Sequence, residues 1–217
     1  MAKGNFVGMG KEFNEMTFAE KREHIWEYYR IHILGALAIL ALIVSFIYGT
    51  FINPPPETFA QFAFYGDFYV GEETLTNMRT YMDQRLALDT KKYVTQSFEC
   101  YTAEGLDVEY SRAMMEKFFV MLAVSEIDIV ITNKAGAEYL GEDEAFLKLS
   151  EILSPGELGS LEDKLYFDAA GDAAGIKLDG SRALADSGVD SADLIALAMV
   201  NSKRLDAAAE ILRIFWE

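Results

Sequence analysis

An α/β domain behind a membrane-spanning helix is the architecture this sequence predicts, and three observations carry it. Ile33 to Ile52 (ILGALAILALIVSFIYGTFI) is a run of twenty residues without a charge. As a helix rising about 1.5 Å per residue it reaches about 30 Å, the thickness of a bilayer's hydrocarbon core. Beyond it, short apolar runs alternate with stretches of helical period. That order predicts a three-layer α/β fold with a mostly parallel, mixed sheet. The formal net charge is −16, and five basic and five acidic residues cancel within positions 1–50, so the whole excess lies past the apolar run.

The stretch before the span divides in two. Residues 1–16 are mixed and Gly-containing and read as a mobile cytoplasmic tail. Thr17-Phe18-Ala19-Glu20 has the S/T-x-x-E form of a capping box, so a helix is expected from Thr17. Positions 17–32 are amphipathic, with Phe18, Arg22, Ile25 and Tyr29 near one face. Trp26, Tyr28 and Tyr29 stand just ahead of the apolar run, where aromatic rings suit the membrane–water interface. The same arm would serve as a docking helix for a cytoplasmic partner.

Lys3, Lys11, Lys21, Arg22 and Arg30 precede the span, and the next basic residue is Arg79. The positive-inside rule then puts the N-terminus in the cytoplasm and the domain outside the plasma membrane. A cleaved signal peptide has a shorter apolar core, about 7–15 residues, and a small-residue cleavage site. Positions 33–52 fit an uncleaved anchor better. Ala41, Ser45 and Gly49 recur every four residues, a spacing that lets two helices approach closely, in a homodimer or with another protein. Asn53-Pro54-Pro55-Pro56 ends the helix and makes 53–57 a stiff spacer.

From 58 to 217 the chain reads as one domain. Phe59–Tyr65 is a buried strand, broken by Gly66-Asp67. Glu72–Leu88 places Leu75, Met78, Met82 and Leu86 on one helical face. Tyr93–Tyr101 alternates, with Val94, Phe98 and Cys100 on one side. Asp107–Val124 is a helix with Val108, Met115, Phe119 and Leu122 inward. Ile127–Thr132 is β-branched. This β-α-β-α-β order is that of parallel strands joined by crossover helices. Lys134–Leu140 follows as a short helix, then Phe146–Leu153 as a turn or helix. Ser154-Pro155-Gly156-Glu157 opens another helix. Leu165–Phe167 and Ile176–Leu178 suggest a hairpin, Leu194–Val200 a last strand. Ser202 caps a last helix with Leu205, Ala209, Leu212 and Phe215 or Trp216 inward.

Composition narrows the chemistry. Both histidines, His24 and His32, precede or begin the apolar run. The domain therefore has no Ser-His-Asp or Cys-His arrangement and no His-ligated zinc. Cys100 is the single cysteine, expected as a small buried side chain. An acidic surface repels nucleic acid. Asp168, Asp172, Asp179, Asp186, Asp190 and Asp193 lack the spacing of a calcium loop. No cofactor and no catalysis are expected. In open α/β sheets ligands lie beyond the carboxyl ends of the strands. There the sequence offers Tyr65 and Asp67, Thr132 and Asn133, and Asn201 and Ser202, polar and aromatic groups suited to a small solute or peptide end.

The run SEIDIVITNKAGAEYLGEDEAFLKLSEIL (Ser125 to Leu153) is similar to a segment of extracellular solute-binding proteins. There a strand of the type G-x-I-D-x-x-I precedes a small helix and a phrase that Phe146, Leu149 and Leu153 match. The final strand, Asn201-Ser202-Lys203-Arg204 and a helix is similar too. The arm Trp26-Glu27-Tyr28-Tyr29-Arg30-Ile31-His32 ahead of one span resembles that of single-pass membrane proteins of Gram-positive bacteria. The resemblance implies a fold like a single periplasmic-binding-protein lobe and a ligand-recognition role. It departs from the family in having room for one lobe, not two, and no lipidated cysteine.

Overall fold

A computed structural model of the chain describes residues 16–102, 108–141 and 145–216. The chain divides between Pro55 and Pro56 into two compact units.

Among the described residues the first unit is one helix, α1 (Phe18–Ile47), whose last turn relaxes into a π-turn at Tyr48–Ile52. The Asn53 N–H closes that turn on the Tyr48 carbonyl at 2.8 Å. Asn53-Pro54 then stops it, because proline has no N–H to continue the ladder. The helix is long and apolar enough to cross a membrane, and none of its apolar window is buried. A helix apolar all round, with its apolar window unburied, is the form a bilayer core accommodates. Trp26, Tyr28 and Tyr29 are all exposed. Ala41 and Ser45 lie on α1, whereas Gly49 falls in the wider π-turn. The Glu20 side chain, half of the expected capping box, lies outside the described residues.

The second unit is the α/β domain. Its elements are β1 (Glu57–Gly66), α2 (Glu72–Arg85), β2 (Tyr93–Tyr101), α3 (Val108–Ala123), β3 (Ile129–Thr132), α4 (Lys134–Gly141), α5 (Pro155–Ser160), β4 (Leu165–Phe167), β5 (Ala173–Lys177), α6 (Arg182–Ser187), β6 (Ile195–Ala198) and α7 (Leu205–Trp216). The six strands form one sheet in the order β2-β1-β3-β6-β5-β4.

β1 pairs in parallel with β2 and β3, as the β-α-β-α-β order predicts. The other three pairings are antiparallel. The sheet is therefore mixed and not mostly parallel. The cause is local. Only Asp168–Asp172 joins β4 to β5, too short for a crossover, so the two strands fold back as a hairpin. Asp168 Oδ1 accepts from the N–H groups of Ala170 and Asp172, at 3.0 and 2.9 Å, and fixes that bend.

Alternation along the strands makes two cores. Phe62, Phe64, Ile129, Ile131, Ala196 and Ala198 face α2, α6 and α7. Ala63, Tyr65, Phe98, Cys100 and Val130 face α3 and α4. The three layers follow from this division. Gly175 is required where β5 meets β6, since a Cβ there would stand 2.7 Å from Leu197 and 2.8 Å from the Ala196 carbonyl.

Two expectations change. On α3 the fully buried ring is Phe118, and Phe119 is turned out against Tyr139. The Val108 side chain lies outside the described residues. Helix α6 falls between Leu178 and Leu194, where the sequence pattern assigns no element. Ser181 precedes it and Gly188 closes it at φ +85°, a conformation glycine adopts without steric cost.

The capping box of α5 forms as expected, Ser154 and Glu157 satisfying each other's backbone N–H. Arg213 of α7 donates to Glu157 Oε1 at 2.6 Å and ties the two helices. These hydrogen bonds, from Arg213 first and then Ser154, lower the Glu157 pKa from 4.5 to about 2. A carboxylate depressed in the folded state stabilises fully above its unfolded pKa, and the effect is lost as pH falls through the folded one. Glu157→Gln is expected to lower the melting temperature at pH 7. The difference from wild type should close as pH falls from 4.5 to 2, followed by circular-dichroism melts.

Candidate functional site

Strand direction decides which polar residues share an edge. β1 and β3 run together, and Tyr65 pairs with Thr132 at their carboxyl ends. β6 runs the other way, so Thr132 is level with Ile195, where β6 begins. Asn201 and Ser202, beyond the end of β6, therefore lie at the opposite edge of the sheet. The expected six-residue group is two separate groups.

The Asn201–Ser202 edge is a structural clamp. Asp128, ahead of β3, is fully buried. Its Oδ2 accepts from the Gln61 N–H at 2.7 Å and from Arg204 Nε at 2.8 Å. Its Oδ1 accepts from the Ser202 hydroxyl at 2.6 Å. Ser202 Oγ also accepts from the Arg204 N–H at 3.0 Å, the local turn that opens α7. Arg204 donates a second hydrogen bond to the Glu126 carbonyl. Asn201 Nδ2 and Lys203 Nζ donate to the Leu122 and Val124 carbonyls at the end of α3. These polar groups are spent on one another. Beside them an open groove of about 580 Å³ is lined by Thr58, Phe59, Tyr93, Lys203 and Glu210 among others.

The other edge is a topological switch point. From β1 the chain goes to β2 on one side, then crosses back over β1 to β3 on the other. Such a reversal leaves a crevice between the loops that leave the two inner strands. Asp67 follows β1 and Asn133 follows β3, and Asn133 Nδ2 donates to Asp67 Oδ1 at 2.8 Å across it. Asn133 Oδ1 accepts from the Gly136 N–H at 2.9 Å and so caps α4. The loop 67–71 is pinned to β2. Glu99 accepts through one oxygen from Val70 N–H and through the other from Gly71 N–H, the latter at 3.2 Å. Tyr69, on that loop, meets Tyr101 at the end of β2, with ring centroids 5.7 Å apart and planes at 65°.

Two of the predicted residues support this edge from below. Tyr65 is buried, stacked on Phe118 at 4.8 Å and Tyr139 at 6.3 Å. Burial first, then Tyr139 and Cys100, pushes its phenol up to about 12. Thr132 is buried under the first turn of α4, its hydroxyl without a hydrogen bond among the described residues. A Cβ on Gly136 would stand 1.9 Å from that hydroxyl oxygen. Asp67 and Asn133 are thus the predicted residues that face solvent here. Tyr69, Glu99 and Tyr101 join them. Of these, Tyr69 carried the legible signal, an aromatic residue in a Gly-flanked loop.

Cys100 is buried, and burial first, then Glu99, raises its thiol to about 11. A thiol held protonated is unreactive. Among the described residues no group of three or more His, Cys, Asp or Glu is placed to hold a metal ion. No family model and no curated protein matches the chain.

Removing one partner of a buried ion pair leaves an unpaired charge, at about 3–5 kcal/mol. Arg204→Met is expected to cost about 3 kcal/mol, the low end, because Arg204 is part-exposed. Urea denaturation measures it. At the other edge Thr132→Val removes an orphaned buried hydroxyl and should raise stability by up to about 1 kcal/mol. Gly136→Ala alone should be destabilising by about 1–3 kcal/mol. Combined with Thr132→Ala it should cost less than the sum of the two, a coupling read from a double-mutant cycle.

Proposed function

We propose that this chain is a single-pass, membrane-anchored recognition protein, non-catalytic, whose α/β domain presents the switch-point edge on the outer face of a plasma membrane. In this reading Ile33–Ile52 is an uncleaved anchor with its N-terminus in the cytoplasm. Trp26, Tyr28 and Tyr29 sit at the lipid interface, and no cofactor is used. The observation that carries the reading is the Asn133–Asp67 hydrogen bond across the crevice between β1 and β3. It holds polar groups at the place where open α/β sheets bind ligands. The unburied apolar helix supports the anchor, and the charge balance on its two sides supports the direction. The likeness of Ser125–Leu153 to solute-binding proteins supports a one-lobed binder of a small solute or peptide. The same helix in a signal sequence would be removed, and the domain released.

A second reading has an observation of its own. Ala41 and Ser45 lie about one turn apart on α1, and both are exposed. That suits a structural subunit held in a membrane complex or homodimer by its span, with no small-molecule ligand.

Cysteine labelling on intact cells tests direction and assembly together. Cys100 is fully buried, so wild type gives little background. Glu73→Cys is expected to react with a membrane-impermeant maleimide and Arg22→Cys to react only after lysis. The reverse pattern, or a domain found free in the medium, would overturn the anchor. Ser45→Cys crosslinking to a second copy under oxidation would favour the subunit reading, and a monomer would count against it.

A further inference from the structure

We infer that the switch-point edge is built for an organic ammonium group, carried by a small solute or by a peptide amine. This rests on the recognition reading above and names its ligand class.

Most charged groups at that edge are already paired. Both oxygens of Glu99 are taken by the Val70 and Gly71 N–H groups. Glu72 pairs with Arg79 at 2.8 Å. Lys134, at the start of α4, has Glu138 at 3.7 Å. Asp67 is different. Its Oδ1 is held by Asn133, its side chain is exposed, and its Oδ2 has no partner among the described residues. A carboxylate fixed through one oxygen offers the other to a cation.

The aromatic pair supplies a second, independent element. Tyr69 is 73% exposed, far more than an aromatic ring kept for packing. It is nonetheless held in place. Gly71 takes φ +84°, and a Cβ there would stand 3.2 Å from the Tyr69 ring. Glu99 fixes the backbone on either side of that contact. Tyr69 and Tyr101 therefore meet at 65° as the two walls of a corner. Ring faces attract cations that come within about 6 Å of the centroid, and quaternary ammonium groups are bound between such walls. Gly66 pairs with Tyr101, so the loop that carries both Asp67 and Tyr69 leaves β1 beside the corner.

An anion on the helix N-termini at this edge meets groups that oppose it. Glu72 and Glu73 already occupy the first turn of α2. Asn133 occupies the Gly136 N–H of α4. The net charge of −16 adds a field that draws cations in and turns anions away.

The test is calorimetric titration of the full chain in a maltoside detergent, which carries no ammonium group of its own. Choline and glycyl-glycinamide stand for the two sources. Their neutral counterparts are 3,3-dimethylbutanol and N-acetyl-glycyl-glycinamide. At least one charged probe is expected to bind saturably and about ten-fold more tightly than its neutral counterpart. The one that does identifies the source. Asp67→Asn keeps the bond from Asn133 and should weaken binding about five- to ten-fold. Tyr69→Ala should do the same, while Tyr69→Phe, which keeps the ring, should bind like wild type. Equal affinity for charged and neutral probes, or binding that survives both Asp67→Asn and Tyr69→Ala, overturns the inference. So does no binding of either charged probe. If a thermal-shift screen of amino acids, sugars and peptides then finds a ligand lost in Asp67→Asn, only the ammonium class falls. If that screen is flat, the recognition reading falls with it.

Discussion

The two halves of the sheet meet at one seam, between β3 and β6, and Asp128 holds it. The residue is fully buried just ahead of β3. Its side chain reaches the β1 backbone at Gln61 and the start of α7 at Ser202 and Arg204. Its own carbonyl accepts from the Met199 N–H at 2.9 Å, where β6 ends. A parallel unit and an antiparallel unit have no common hydrogen-bond rhythm to fix their register. A buried charge that must be matched on every side supplies the missing constraint, because any slip of the seam strands it. β-Branched packing of Ile129 and Ile131 against Ala196 and Ala198 fills the space. The ion pair decides which residues face which.

That seam also divides the polar groups of the domain between two duties. At the Asp128 edge, Asn201, Ser202, Lys203 and Arg204 each donate to a carbonyl or to the carboxylate itself. They close off the last turn of α3 and the first of α7. At the other edge the strands end and the backbone turns away. Asp67 and Asn133 satisfy one oxygen and one cap, and stop. The contrast is one of lone pairs: the Asp128 edge balances its donors and acceptors, and the Asp67 edge leaves an acceptor over among the described residues.

Much of this was legible from local pattern. Tyr93–Tyr101 reads as a strand because its alternation is strict, and α7 because its apolar residues recur at helical spacing. The box at Ser154 and Glu157 is readable because both partners lie within one turn. What local pattern lacks is direction. LIALAMV is equally apolar read as a parallel or an antiparallel strand, so Asn201 and Ser202 could be assigned to the wrong edge. Distance matters as well. Asp128 in IDIVIT looks like a polar residue facing out, because Ser202 and Arg204, which pair with it, lie 74 and 76 residues away. Phe118 and Phe119 are adjacent, and periodicity alone does not say which of two neighbours turns inward. α6 was hidden by brevity: six residues give too little period to mark a helix.

The raised pKa values of Tyr65 and Cys100 share one physical cause. Tyr65 and Cys100 sit one behind the other on the face covered by α3, and each is pushed up chiefly by burial. Burial raises a phenol or thiol by penalising its charged form. A nucleophile or general base needs a neighbour that favours that form, and the neighbours named here are Tyr139, Cys100 and Glu99, all of which oppose it. The aromatic stack of Phe118, Tyr65 and Tyr139 is therefore a floor. It stiffens the strand end from which the Asp67 loop departs. What it holds in place at this edge is an exposed carboxylate, Asp67, tied to Asn133, and an exposed ring, Tyr69, set against the partly buried Tyr101.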